Sequence, residues 1–158
     1  LYYGDEIGTL NDDSYLNDPN KAGDSRWVHR PTINWEKAEL RNTAGTTEYK
    51  IFRRLKRMIA VRKEIEAFAD FNNRELIETS NPYLFVFERY NISQPKENVL
   101  VVANFNKQPK SLDLTEIDCW KNVQHIQLID LYSGKSPDIF KNTLVIPGFS
   151  FYWLSEVL

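Results

Sequence analysis

Asp5 and Glu6 stand side by side near the start of the chain, and Asp12, Asp13, Asn17, Asp18 and Asp24 follow within twenty residues. His29, His125 and Cys119 are the other side chains of the kind that ligate metals or attack electrophiles. A retaining glycosidase needs two carboxyl groups about 5–5.5 Å apart across one bond. Neighbours on an extended chain point to opposite sides, so Asp5 and Glu6 are expected to be structural and not an acid and its nucleophile. The oxygen-rich run resembles a calcium loop only in composition, because the turn glycine and the closing glutamate are not at EF-hand spacing. It reads as an acidic, turn-forming loop. His29 and His125 lie far apart with no cysteine near them, which argues against zinc. Cys119 is the only cysteine, so no disulfide can form within the chain, and a reducing, cytoplasmic location is expected. The residues themselves therefore predict no catalytic group, no metal and no cofactor in this chain.

The elements that must carry these side chains fall into two stretches. Residues 5–45 are rich in Asp, Asn, Gly, Ser and Pro, with a single helical turn expected over Asn34–Leu40. A loop of roughly 40 residues is uncommon in a compact domain and usually signals a binding or active-site loop. Glu48 to Phe68 then reads as a helix, with Ile51, Phe52, Leu55, Met58 and Ile59 recurring at helical spacing and Thr47 as the N-cap. Its Arg and Lys residues, interleaved with Glu, read as a solvated face. Beyond Asn72-Asn73 the period changes to that of strands: 75–79, 83–90, 99–105, 111–114, 126–132, 143–146 and 149–155. Short strands separated by Asn-Pro, Ser-Gly and Pro-Gly turns predict an antiparallel sandwich. The expected boundary divides residues 1–72 from residues 73–158.

Composition narrows the partners. Of 158 residues, 42% are hydrophobic and the net charge is −2, so a core is affordable and no basic excess invites nucleic acid. No run of about 18 apolar residues is present, so no membrane partner is expected. The chain opens on apolar Leu1-Tyr2-Tyr3-Gly4, which reads as a cut inside a strand-like element.

Leu1-Tyr2-Tyr3-Gly4-Asp5-Glu6-Ile7-Gly8 resembles the end of the eighth barrel strand in glycoside hydrolase family 13, the α-amylase family. Thr9-Leu10-Asn11-Asp12 and the run from Asp18 through Gly23-Asp24-Ser25-Arg26-Trp27-Val28-His29-Arg30-Pro31 resemble its amylosucrase and sucrose hydrolase branch. Met58 to Arg62 is similar to the last barrel helix, Val99 to Phe105 to a central strand of the C-terminal sandwich, and Asp130 to Lys135 with Pro147 to Leu154 to its closing hairpin.

The resemblance implies a mainly β chain: a C-terminal antiparallel β-sandwich preceded by the last βα unit, a long loop plus helix, of a (β/α)8 barrel. It implies retaining glucosyl transfer from sucrose to a glucan or to water in a longer enzyme. The nucleophile, the acid/base and the stabilising carboxylate would lie on barrel strands upstream of residue 1, so this chain alone is expected to be inactive. Arg26 aligns with a substrate-binding arginine that closes the glucose pocket by pairing with an aspartate from earlier in the barrel. The implied partners are sucrose, α-glucan and the missing barrel portion. The competing expectation is a non-catalytic sandwich that binds glucan through exposed aromatics or packs on another protein. A platform of paired surface Trp or Tyr residues would favour it, and Trp120 and Trp153 are the residues in question.

Overall fold

The computed structural model describes residues 2–94, 97–120 and 127–157, without the side chain of Cys119. His125 and the start of the strand expected at Ile126 lie outside the described residues. The chain divides into two compact units, residues 1–60 and 61–158.

Among the described residues of the second unit, eight strands form two antiparallel sheets. They are β1 (Arg74–Ile77), β2 (Leu84–Arg89), β3 (Val99–Asn104), β4 (Lys110–Asp113), β5 (Leu128–Asp130), β6 (Ile139–Phe140), β7 (Thr143–Ile146) and β8 (Phe151–Glu156). One sheet has the order β1-β2-β3-β8-β5 and the other β4-β7-β6. Alternation explains what lies between them. Val86, Leu100, Val102, Leu128 and Leu154 of the larger sheet meet Leu112, Leu144 and Ile146 of the smaller one in a single core, which Leu114, Ile117 and Trp120 close. The chain is therefore mainly β with an antiparallel β-sandwich, as its strand pattern predicts.

The opposite face of the larger sheet is also apolar. Trp153 on β8 is covered by Phe68, their ring centroids 4.9 Å apart, whereas Leu76 and Phe85 stay 64% and 47% exposed. Trp120 and Trp153 are both buried. Trp120 donates to the Glu88 carboxylate at 3.3 Å. Neither tryptophan forms a surface platform.

Buried polar side chains tie the sandwich's turns. Asp130 accepts from the backbone N–H groups of Trp153 and Ser133 at 2.9 and 3.0 Å. Asn104 Nδ2 donates to the carbonyls of Gln108, Ile146 and Pro147 at 2.9–3.1 Å, and its Oδ1 accepts from Asn106 N–H at 2.8 Å. One side chain thus closes two turns that approach from different sheets. Asn104→Ala leaves those groups without partners and is expected to cost about 3 kcal/mol. Asn104→Asp keeps the shape but sets a carboxylate against three carbonyls, and should cost at least as much at neutral pH. Urea denaturation of both variants checks this; wild-type stability in the aspartate variant would show that the donors carry no weight.

Several expected boundaries move for local reasons. Phe149 is not in a strand: it has φ +49° and is 74% exposed. The two-residue strand β6 is joined to β7 by Lys141-Asn142, both at positive φ, as the tightest right-handed hairpin requires. Leu114 begins a 3-10 turn capped by Asp113 and does not end a strand.

In the first unit, α1 (Trp35–Glu39) follows Asn34, whose side chain accepts from Lys37 N–H at 2.9 Å. The next helix, α2, spans Thr47–Glu64, so its last turn belongs to the second unit. Its N-terminal cap is Thr46, which accepts from Tyr49 N–H at 3.2 Å, and Thr47 is the first helical residue. The helix stops at Glu64 because Ile65 is extended, and Glu66–Phe68 form a separate 3-10 turn. None of the apolar side chains of α2 is fully buried; Glu48 alone is. Ile7 and Ala38 are the only buried apolar side chains among the described residues of this unit.

Candidate functional site

The segment before α1 is built from 3-10 turns, each started by a side chain or a glycine that satisfies free N–H groups. Gly4 and Gly8 flank the turn Asp5–Ile7 with φ +90° and +65°. At Gly4 a side chain would run into Thr9, so both its dihedral and its space call for glycine. Asp5 and Glu6 consequently lie on a turn and not on an extended strand. Asp5 accepts from Tyr2 N–H at 3.1 Å, and Glu6 from Gly4 N–H at 2.9 Å. The two side chains are therefore not set apart by strand alternation, and both carboxylates are engaged in shaping this turn.

Asp12 accepts from Ser14 N–H, Asp18 from Asn20 N–H and Asp24 from Arg26 N–H, at 2.9–3.0 Å. These acidic residues act as caps of successive turns. Among the described residues no group of His, Cys, Asp and Glu converges as a metal site would.

The turns fold the segment around a cleft of about 360 Å³ lined by Tyr2, Tyr3, Asp5, Asn11, Arg26, His29 and Arg30, with Thr9, Leu10 and Pro31. Arg26, the substrate-binding residue expected from the sequence, is on its wall. Asp24 grips one edge of its guanidinium through two hydrogen bonds: Nε to Oδ1 at 2.8 Å and Nη2 to Oδ2 at 2.8 Å. The guanidinium side chain remains 74% exposed. Hydrogen bonds from the Arg26 side chain, then from its backbone N–H, hold the Asp24 carboxyl at about 2, below the ordinary 3.8.

A carboxyl lowered by folding contributes stability above its unfolded value and loses it as pH falls through the folded one. The Asp24 clamp should thus be complete above about pH 4 and open towards pH 2. A carbon-detected NMR titration should place the Asp24 midpoint at about 2 and return it towards 3.8 in Arg26→Ala. An unchanged midpoint in that variant would discount the clamp.

Arg30, Tyr3 and His29, none of which the sequence marks as a substrate-binding residue, complete the wall. Arg30 donates from Nε to the Tyr2 hydroxyl at 3.1 Å, and its guanidinium carbon lies 5.7 Å from the Trp27 ring centroid. Tyr3 donates its hydroxyl to the Pro31 carbonyl at 3.2 Å. His29 Nδ1 meets Asn11 Oδ1 at 3.0 Å; in the tautomer that donates from Nδ1, Nε2 is an acceptor. The cleft therefore mixes aromatic faces, planar donors and acceptors, with Arg26 paired to Asp24 and the Asp5 carboxylate also on its lining. Such a mixture of polar groups and rings suits a polyhydroxyl ligand.

No family model matches the sequence. Two solved structures of a pullulanase from Anoxybacillus sp. LM18-11, one complexed with maltotriose, are similar to 79% of this chain with a TM-score of 0.52 and 14% identity. The likeness is one of fold. It covers 16% and 17% of the pullulanase chains, so this chain spans about a sixth of their length.

Proposed function

We propose that this chain is the C-terminal portion of an amylosucrase-like enzyme that transfers a glucosyl unit from sucrose to a glucan or to water with retention of configuration. The observation that carries the reading is the Arg26 cleft: its donors, acceptors and tyrosine rings suit a sugar, and it sits in the segment with the most specific sequence resemblance. Three further features support it. Among the described residues the first unit buries only two apolar side chains, α2 leaves its apolar stripe half open, and the larger sheet leaves Leu76 and Phe85 uncovered. Each is what a chain would show if barrel strands and helices belonging to the same enzyme covered it.

In this reading residues 1–72 complete the barrel and residues 73–158 form the sandwich. A carboxylate of the barrel attacks the anomeric carbon, a carboxylic acid protonates the departing fructose oxygen, and the resulting glucosyl ester is cleaved by a glucan hydroxyl or water. This chain supplies no reacting carboxylate. Asp5 and Glu6 hold the turn, and Arg26 with Asp24 forms a wall behind the glucosyl ring.

The test is to follow sucrose by NMR with the full-length enzyme and with the purified 158-residue chain. Fructose release with α-configured glucosyl product is expected from the former, and no turnover from the latter. Turnover by the isolated chain, or inertness of the full-length enzyme towards sucrose, would overturn the proposal.

A further inference from the structure

We propose that Arg30, held by Tyr2 and in cation–π contact with Trp27, is the arginine of this cleft that grips sugar hydroxyls, while Arg26 serves as its wall. The inference rests on the reading of the cleft as a sugar site and assigns a residue that the sequence resemblance left without a role.

A guanidinium has five N–H groups, in a fixed fork. On Arg26, Nε and Nη2 already serve Asp24. An aspartate from the missing barrel, approaching the free edge, takes two more through the parallel pair that carboxylates prefer. One donor is left, too few to orient a ring bearing several hydroxyls. Arg30 is in the opposite state. Its Nε is committed to Tyr2, which fixes the plane of the fork. Its two terminal amino groups have no hydrogen-bond acceptor among the described residues, and no carboxylate pairs with it there.

Neighbouring groups supply what a sugar needs besides donors. The Tyr2 hydroxyl, having accepted from Arg30, keeps its own hydrogen to donate. In the tautomer that donates from Nδ1, the unshared nitrogen of His29 can accept. Tyr2 and Tyr3, with ring centroids 5.1 Å apart, offer faces to the C–H side of a pyranose. Two donors on adjacent terminal nitrogens match two neighbouring hydroxyl oxygens, and the Trp27 contact steadies the fork without consuming a donor.

The experiment uses the ¹⁵N-labelled 158-residue chain titrated with maltose, with sucrose and, separately, with inorganic phosphate. The Arg30 Nε–H and Trp27 indole signals are expected to shift saturably with both sugars, while the Arg26 Nε–H, locked to Asp24, stays in place. Arg30→Gln should weaken sugar binding by about tenfold or more, as losing a charged hydrogen-bond donor implies. Arg30→Lys, which keeps the charge but not the fork, should recover little of it. Both variants should melt with the wild type, because Arg30 is exposed and, among the described residues, its side chain donates a hydrogen bond only to Tyr2. Sugar binding that survives Arg30→Gln, shifts at Arg26 in place of Arg30, absence of saturable binding, or phosphate binding more tightly than maltose would each overturn the assignment. The sucrose assay separates the two readings: shifts at Arg30 with an enzyme inert on sucrose keep this inference and sink the sucrose reading, whereas an active enzyme with a silent Arg30 does the reverse.

Discussion

In the full-length enzyme proposed above, Arg26→Ala is expected to lower sucrose turnover by orders of magnitude, and Arg26→Lys is expected to leave most of that loss in place. The expectation comes from how the guanidinium is held. Asp24 fixes one side of its plane at 2.8 Å through two nitrogens, so the other edge points where the loop's geometry sends it and not where thermal motion does. A barrel aspartate meeting that edge would form a pair that closes the pocket behind one glucosyl unit. Removing one member of a partly buried pair leaves the other charge uncompensated, at about 3–5 kcal/mol. If that cost falls on the transition state, it corresponds to a rate loss of roughly a hundredfold to several thousandfold. Lysine keeps a charge but offers a point and no fork, so it satisfies either Asp24 or the barrel aspartate and not both. In the isolated chain, the same substitutions should leave the melting temperature nearly unchanged, because the partner is absent and the Asp24 pair is largely exposed. Steady-state kinetics on sucrose provide the check. A full-length Arg26→Ala enzyme with near-normal kcat/KM would remove this residue from the site.

The sandwich was legible because strand alternation is a strong local signal. Val99 to Asn104 and Thr143 to Ile146 are strands where expected, and Leu84, Val86 and Glu88 face the core while Phe85 and Phe87 face away. What the pattern misses is what does not alternate. Two residues, Ile139 and Phe140, are too few to show a period, and their strand exists because the positive-φ pair Lys141-Asn142 folds them back onto β7. Phe149 continues an aromatic run in sequence but sits at φ +49°, since its N–H is drawn to the Asn106 carbonyl at 3.0 Å. Likewise Thr46 and Thr47 are chemically equal candidates to cap α2, and only the fold of the preceding loop puts the Thr46 hydroxyl in place.

At the candidate site, legibility follows sequence separation. Asp24 and Arg26 are two residues apart, so a pair between them is an evident competitor for any distant partner, and the structure contains it. Asp12 and Asp24 announce their turns by type alone, since short acidic side chains cap N–H groups two residues on. Arg30 and Tyr2 are 28 residues apart and meet only because successive turns close the segment on itself. Nothing periodic marks them. The turn at Asp5 and Glu6 was missed because the residues before it read as a strand, while Gly4 and Gly8 supply the left-handed backbone that bends the chain there.

Replacing Gly148 with alanine is expected to destabilise the sandwich by about 3 kcal/mol or more, although the residue is on a turn and its φ is ordinary. Glycine is usually required for its dihedral freedom, as at Gly134, where φ is +72° and a Cβ would meet nothing. At Gly148 the requirement is space. A Cβ built there overlaps the backbone carbonyl of Lys107, which cannot rotate aside as a side chain could. The two turns that meet at this point are joined on both flanks: Phe149 N–H donates to the Asn106 carbonyl at 3.0 Å and Asn104 N–H to the Ser150 carbonyl at 2.9 Å. The Asn104 side chain ties the same two turns from inside, through the carbonyls of Gln108, Ile146 and Pro147. Moving the turns apart to admit a methyl group therefore breaks several hydrogen bonds together, in addition to the 1–3 kcal/mol usual for overpacking. For a unit of this size, each kcal/mol lowers the melting temperature by roughly 4–8 °C, so Gly148→Ala should melt more than about 10 °C below the wild type. Gly134→Ala, carrying only the dihedral penalty of about 1 kcal/mol, is the internal comparison. Calorimetry of the two variants decides the matter: if Gly148→Ala loses no more than Gly134→Ala, the close approach to Lys107 does not constrain the fold.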